Sequence, residues 1–143
     1  MKIVSKHFDE LNSRELYEIL KARCDVFVVE QNCAYPELDG LDYESLHVYG
    51  EENGKLKAYL RAYIKEDGLV RMGRVLTLER GKGYGAEILK KGIEEIRAHF
   101  SPQKIYIEAQ SYATGFYERE GFTVCSEEFL EDGIAHVQME LEL

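Results

Sequence analysis

The chain has 143 residues, 45% of them hydrophobic and 31% charged, with a formal charge of −9. That fits one soluble domain over residues 1–143, burying about 70% of the surface its unfolded chain would expose. The acidic balance argues against nucleic acid as a partner, and no apolar run nears the ~20 residues of a membrane span. The start, Met1 to Lys6, has no signal-peptide core, and Cys24, Cys33 and Cys125 form no C-x-x-C pair. Neither a disulfide framework nor a metal site is expected, and a reducing cytoplasm is the natural setting.

A short strand through Val4 opens the chain. Asn12 offers an N-cap, Glu15 completes a capping box and Leu11 with Leu16 forms a hydrophobic staple, so a helix follows. Its buried face is Leu16, Ile19, Leu20 and Cys24, with Phe27 one turn further. From Arg23 to Gln31 β-branched residues run into Glu30-Gln31 with no turn residue, which either ends the helix or begins an irregular second one. Asn32 to Glu44 is a polar loop, long enough to be functional. Leu46–Gly50 and Leu56–Ile64 read as a hairpin around Glu52-Asn53-Gly54. Glu66-Asp67-Gly68 then turns into a central strand, Leu69 to Thr77. Strict alternation puts Leu69, Arg71, Gly73, Val75 and Thr77 on one face and Val70, Met72, Arg74 and Leu76 on the other.

Behind that strand comes Arg80-Gly81-Lys82-Gly83-Tyr84-Gly85-Ala86, followed by a helix whose apolar positions Ala86, Leu89, Ile93, Ile96 and Phe100 recur at helical spacing. A strand that empties through glycines into a helix leaves backbone N–H groups unpaired at the positive end of the macrodipole. Such a terminus binds anions, and Arg80 and Lys82 add positive charge. Ser101-Pro102 stops the helix, and Lys104 to Gln110 returns as a parallel strand. A short helix from about Tyr112 to Glu120 ends at Gly121, and Phe122–Ser126 with Ile134–Leu143 form a last antiparallel pair around Asp132-Gly133. The fold class is α+β: a mixed, mostly antiparallel sheet with one parallel βαβ crossover carrying the phosphate loop, and helices on both faces.

Three motifs compete for the glycine loop. A Walker A loop needs Ser or Thr after its lysine, and Lys82 is followed by Gly83. Gly81-x-Gly83-x-x-Ala86 satisfies the letter of the dinucleotide fingerprint, with Glu108 roughly 20 residues on as the ribose acid, but a single βαβ unit cannot build the doubly wound sheet that motif belongs to. The third, Arg/Gln-x-x-Gly-x-Gly/Ala, is met in full by Arg80 to Gly85. It resembles the pyrophosphate loop of the GNAT superfamily of N-acetyltransferases. Ala113, Tyr117 and Gly121-Phe122 are similar to that family's last helix. The first half resembles its ElaA-like branch at Arg23-x-x-Val26-Phe27-Val28-Val29-Glu30-Gln31, Tyr35, Asp39, Asp42 and His47, and Asp132 to His136 is similar to that branch's closing hairpin. Two features depart from the family pattern: only Leu78 and Glu79 separate Thr77 from Arg80, and Gln110 stands where Asn is common.

The resemblance implies acetyl transfer from acetyl-CoA to a primary amine, a small molecule or a peptide N-terminus, by direct attack in a ternary complex. The pyrophosphate would sit on Gly81, Lys82, Gly83, Tyr84, Gly85 and Ala86 beside Arg80. The pantetheine arm would lie along Val75, Leu76 and Thr77, one of whose N–H groups polarises the thioester carbonyl, with a contact from Gln110. Tyr117 would protonate the departing thiolate. For the base that deprotonates the amine, residue chemistry leaves Glu30, His47 and His136 open. Burial would raise the pKa of Glu30, and a salt bridge to Arg23 is its structural alternative. The acidic surface can steer a cationic acceptor. Homodimers are a family tendency. A catalytically silent module of the same fold that senses acyl-CoA is the alternative reading.

Overall fold

The computed structural model describes residues 1–143. Its eight strands are β1 Lys2–His7, β2 Leu46–Glu52, β3 Lys55–Glu66, β4 Leu69–Thr77, β5 Lys104–Gln110, β6 Thr123–Val124, β7 Phe129–Glu131 and β8 Ile134–Glu142. They form one sheet in the order β1-β2-β3-β4-β5-β8-β6, with β7 also paired to β8. Every neighbouring pair is antiparallel except β4 and β5. The helices are α1 Ser13–Arg23, α2 Tyr84–Phe100 and α3 Thr114–Glu118.

Helix α1 starts where its caps dictate: Asn12 Oδ1 accepts the Glu15 N–H at 2.8 Å and Glu15 returns the bond to the Asn12 N–H at 2.8 Å. It does not end at the β-branched run. The chain continues as a π-helix over Cys24–Glu30, in which Val26, Phe27 and Val28 stay half-buried and Val29 is exposed. The widened turn resolves the ambiguity of this stretch, and such turns mark functional sites more often than chance.

The sheet separates two apolar layers. Ile88, Leu89 and Ile96 of α2 pack on Leu60, Met72, Ile105 and Met139, whereas Ile19 and Ala22 of α1 pack on Tyr49, Tyr59 and Leu76 of the opposite face. Helix α2 lies close to the sheet because Gly92 faces it; a Cβ there would fall 2.5 Å from Leu60 Cδ2.

Two irregularities of β4 make the site. Its parallel pairing with β5 covers only Leu69↔Lys104, Val70↔Ile105 and Arg71↔Tyr106, and beyond Arg71 the strands separate. On the other edge the pairing steps from Arg61↔Gly73 to Tyr59↔Leu76, so Leu60 faces two residues of β4. This is a β-bulge, and Arg74 takes its strained position at φ +54°. The bulge breaks the strict alternation read from the sequence: Val70 and Met72 enter the α2 layer, but Leu76 enters the α1 layer.

The closing hairpin also differs from expectation. Across the Asp132-Gly133 turn the partner of β8 is β7, with Phe129↔His136. The stretch after Gly121 contributes only Thr123 and Val124, further along the same edge.

Candidate functional site

The glycine loop leads from β4 into α2. Gly81 and Gly83 sit at φ +75° and +76°, and a Cβ built on either meets nothing within 4 Å. Glycine is required there by backbone conformation and not by crowding. Gly83 precedes the first turn of α2, where the N–H groups of Tyr84, Gly85 and Ala86 have no carbonyl within the helix to bond. The turn is anchored by the Tyr84 hydroxyl on Glu52 Oε2 at 2.6 Å, and the approach to it by an ion pair of Lys57 with Glu79.

From this loop a cleft of about 870 Å³ follows the separation of β4 and β5. Val75, Leu76, Thr77, Arg80, Gly85, Gln110 and Tyr117 line it. Leu78 donates its N–H to Lys57 O of β3 at 2.9 Å, so alternation turns the backbone of Val75 and Thr77 toward the gap. Gln110 reaches across to Gln31 Oε1 at 3.3 Å.

Tyr117 stands on α3 between the rings of Phe116, 5.0 Å away, and Phe122, 5.8 Å away. Burial pushes its phenol well above the usual range, so the hydroxyl keeps its proton and can donate. His136 lines the cleft from β8 and stacks on Phe129. Its Nδ1 lies 2.7 Å from Ile134 O. A carbonyl only accepts, so Nδ1–H donates to it, and Nε2 lies 3.7 Å from Glu131 Oε2.

The other two base candidates fall elsewhere. His47 is fully buried outside the cleft, with Nε2 on Asp42 O at 2.9 Å and Nδ1 on the Tyr59 hydroxyl at 2.7 Å. With both nitrogens occupied and burial lowering its pKa, it is a neutral structural residue, which corrects its expected role as a base. Glu30 is 56% exposed and pairs with Arg80 at 2.9 Å, not with Arg23. It therefore lacks the burial expected of it, and it lines a smaller depression beside the loop.

Sequence reasoning missed what holds the loop Asn32–Glu44 over the sheet. Arg23, fully buried, donates to Glu37 Oε2 and Asp42 Oδ1, each at 2.6 Å. Arg61 adds bonds to Asp42 and Asp39, and Arg74, placed by the bulge, reaches Glu37 Oε2 at 2.8 Å. The Tyr35 hydroxyl caps Glu37 Oε1 at 2.5 Å. Burial acts to raise Asp39, but hydrogen bonds from Arg61 and the Leu41 N–H, with the arginine charges, hold it down to about 2. Asp42 is lowered by Arg23 and Arg61 against the same burial effect. Three arginines inside predicted strands or helices were the available signal, since such residues are rarely buried unpaired.

The comparisons agree with this geometry. A UPF0039 protein of Schizosaccharomyces pombe is 43% identical over 147 residues, covering 100% of this chain and 98% of its own length. The protein ElaA of Escherichia coli is 38% identical over 143 residues, covering 96% of this chain and 94% of its own. Its crystal structure superposes with a TM-score of 0.93 at 36% identity, covering 99% of this chain and 100% of that one. An acyl-CoA N-acyltransferase from Pseudomonas aeruginosa superposes at 0.91 and 33% identity, with 99% of each chain covered. The family described as acetyltransferase (GNAT) domain matches residues 13–143. Sequence, topology and the divided β4–β5 pair thus lead to one assignment: the chain belongs to the GNAT acetyltransferase family, on its ElaA-like branch.

Proposed function

We propose that this protein transfers an acetyl group from acetyl-CoA to a primary amine by direct attack in a ternary complex. The observation that carries the reading is the continuous cleft from the glycine loop, through the β4–β5 gap, to Tyr117. The pyrophosphate takes the N–H groups at the start of α2 with Arg80 and Lys82, and the pantetheine pairs with the backbone of Val75 and Thr77. An N–H beside the bulge polarises the thioester carbonyl. Tyr117 protonates the leaving thiolate, and His136 Nε2 takes a proton from the attacking nitrogen. Glu30 holds Arg80 in the free protein. A fold neighbour at 10% identity and TM-score 0.75, an aminoglycoside 6′-N-acetyltransferase, was crystallised with coenzyme A, in keeping with a cleft of this kind.

The test is thermal shift followed by turnover. Acetyl-CoA at 100 times its Kd adds about 2.7 kcal/mol, several degrees for a chain of this size, and NAD adds nothing. Tyr117→Phe is expected to keep that shift and lose at least about a hundredfold in kcat. Unchanged turnover removes Tyr117 from the chemistry. A shift without turnover on any amine favours the acyl-CoA-sensing alternative.

A further inference from the structure

The acids around the cleft are not equivalent. Asp39 spends both oxygens on Arg61, at 2.9 and 2.5 Å, and also accepts the Leu41 N–H. Asp132 is exposed on its turn. Glu131 lies 44% exposed beside His136. Glu108 differs from all three. It stands on β5 two residues past the last β4–β5 pair, Arg71↔Tyr106, so continuing the register sets it across the gap from Gly73. Gly73 leaves that gap open, since a Cβ built there meets no atom within 4 Å. The side chain of Glu108 is only 16% exposed. The Tyr106 hydroxyl at 2.7 Å and Arg71 Nη1 at 3.3 Å both engage its Oε2. Oε1 has no partner on the protein, and the residue lines the cleft.

One carboxylate oxygen, oriented by two neighbours and largely withdrawn from bulk water, is therefore unspent beyond the bulge, on the side away from the phosphate loop. We propose that Glu108 receives the ammonium of the acceptor, which makes the acceptor a protonated primary amine and not an alcohol or a thiol. This rests on the acetyl transfer proposed above. Glu108 holds the nitrogen beside the thioester carbon; a C–N bond forms and the C–S bond breaks. The ammonium gives up two protons in all. One leaves to solvent through His136 Nε2, and the other makes good the proton that Tyr117 passes to the coenzyme A sulfur.

Two coenzyme A derivatives of equal shape serve as probes, S-(2-aminoethyl)-coenzyme A and S-propyl-coenzyme A, with affinities measured by calorimetry on the full chain. The wild type is expected to bind the aminoethyl form about 10- to 100-fold more tightly, the range of a hydrogen bond between charged groups. Glu108→Gln abolishes the preference without changing the affinity for the propyl form, and Glu108→Asp keeps part of it. Asp132→Asn, an exchange suited to its turn at φ +51°, keeps all of it. A wild type with no preference, a preference that survives Glu108→Gln, or one lost in Asp132→Asn instead overturns the assignment. Should Glu108→Gln fail to fold, the wild-type preference and the Glu108→Asp value still decide. Failure of coenzyme A itself to bind removes the transferase reading and this inference together; binding without preference removes this inference alone.

Discussion

Arg23→Met probes the buried ion network most directly. The network balances three arginines, Arg23, Arg61 and Arg74, against Glu37, Asp39 and Asp42. Methionine replaces the length and apolar stem of the arginine but takes one cation from a set in which Arg23, Arg61, Glu37 and Asp42 are buried. Glu37 loses the bonds from Nε at 2.6 Å to its carboxylate and from Nη2 at 3.1 Å to its carbonyl, and Asp42 loses one at 2.6 Å. Breaking a buried pair from one side costs about 3–5 kcal/mol. The lower end applies here, because Arg74 and Arg61 still reach the same carboxylates. At about 3 °C per kcal/mol for a chain of this size, thermal denaturation at pH 7 is expected to show a melting temperature roughly 10 °C lower. Arg23→Met combined with Asp42→Asn removes one charge of each sign and is expected to recover part of the loss. A single variant that melts within about 3 °C of the wild type refutes the reasoning. A double variant no more stable than the single shows that unpaired charge was not the cause.

The glycine loop and the acid limb of stability give two more tests. Gly83→Ala, at φ +76°, is expected to cost about 1–2 kcal/mol and to reduce the thermal shift given by coenzyme A, whereas Gly73→Ala, with open space around it, changes the melting temperature little. Equal losses at the two positions contradict the conformational account. Acid destabilises in two windows. His47, its folded pKa lowered from 6.5, leaves the unfolded chain binding the extra proton, so stability begins to fall as pH drops through 6.5. Asp39, lowered from 3.8 to about 2, contributes stability that is complete above 3.8 and lost as pH falls toward 2, and Asp42 acts in the same sense. Melting temperature measured against pH is expected to bend in both windows, and a profile flat from pH 7 to 3 contradicts this.

What was legible in the sequence is what depends on local rules. The Asn12–Glu15 cap, the Asn53-Gly54 turn and the glycine-rich turn into α2 are each set by the backbone needs of a few adjacent residues, and the chain folds accordingly. The spacing of Ala86, Leu89, Ile93 and Ile96 placed α2 for the same reason, since helical periodicity is a property of one segment. Tyr117 was singled out by a family resemblance, its offset from Gly121-Phe122, and it lines the cleft.

The rest depends on what lies across the chain. Nothing local distinguishes Arg74 from any strand arginine; the bulge, where Leu60 on β3 faces two residues, brings its guanidinium to Glu37, 37 residues earlier in the chain. The bulge in turn decides that Leu76 packs under α1 and not under α2, so one long-range ion pair is coupled to the parity of every residue after it. His47 reads as a base on a strand, and only the packing of Tyr59 and the Asp42 carbonyl against its two nitrogens makes it inert. Glu108 reads at most as the ribose acid of a dinucleotide motif that the fold does not support; its place is set where β4 and β5 part company at Arg71, which leaves it facing open space where its register partner is a glycine. Local rules therefore deliver the half of the candidate site proposed to hold a phosphate, because backbone N–H groups at a helix start need no partner from elsewhere. The half proposed to meet the acceptor is assembled from side chains that only the tertiary fold brings together.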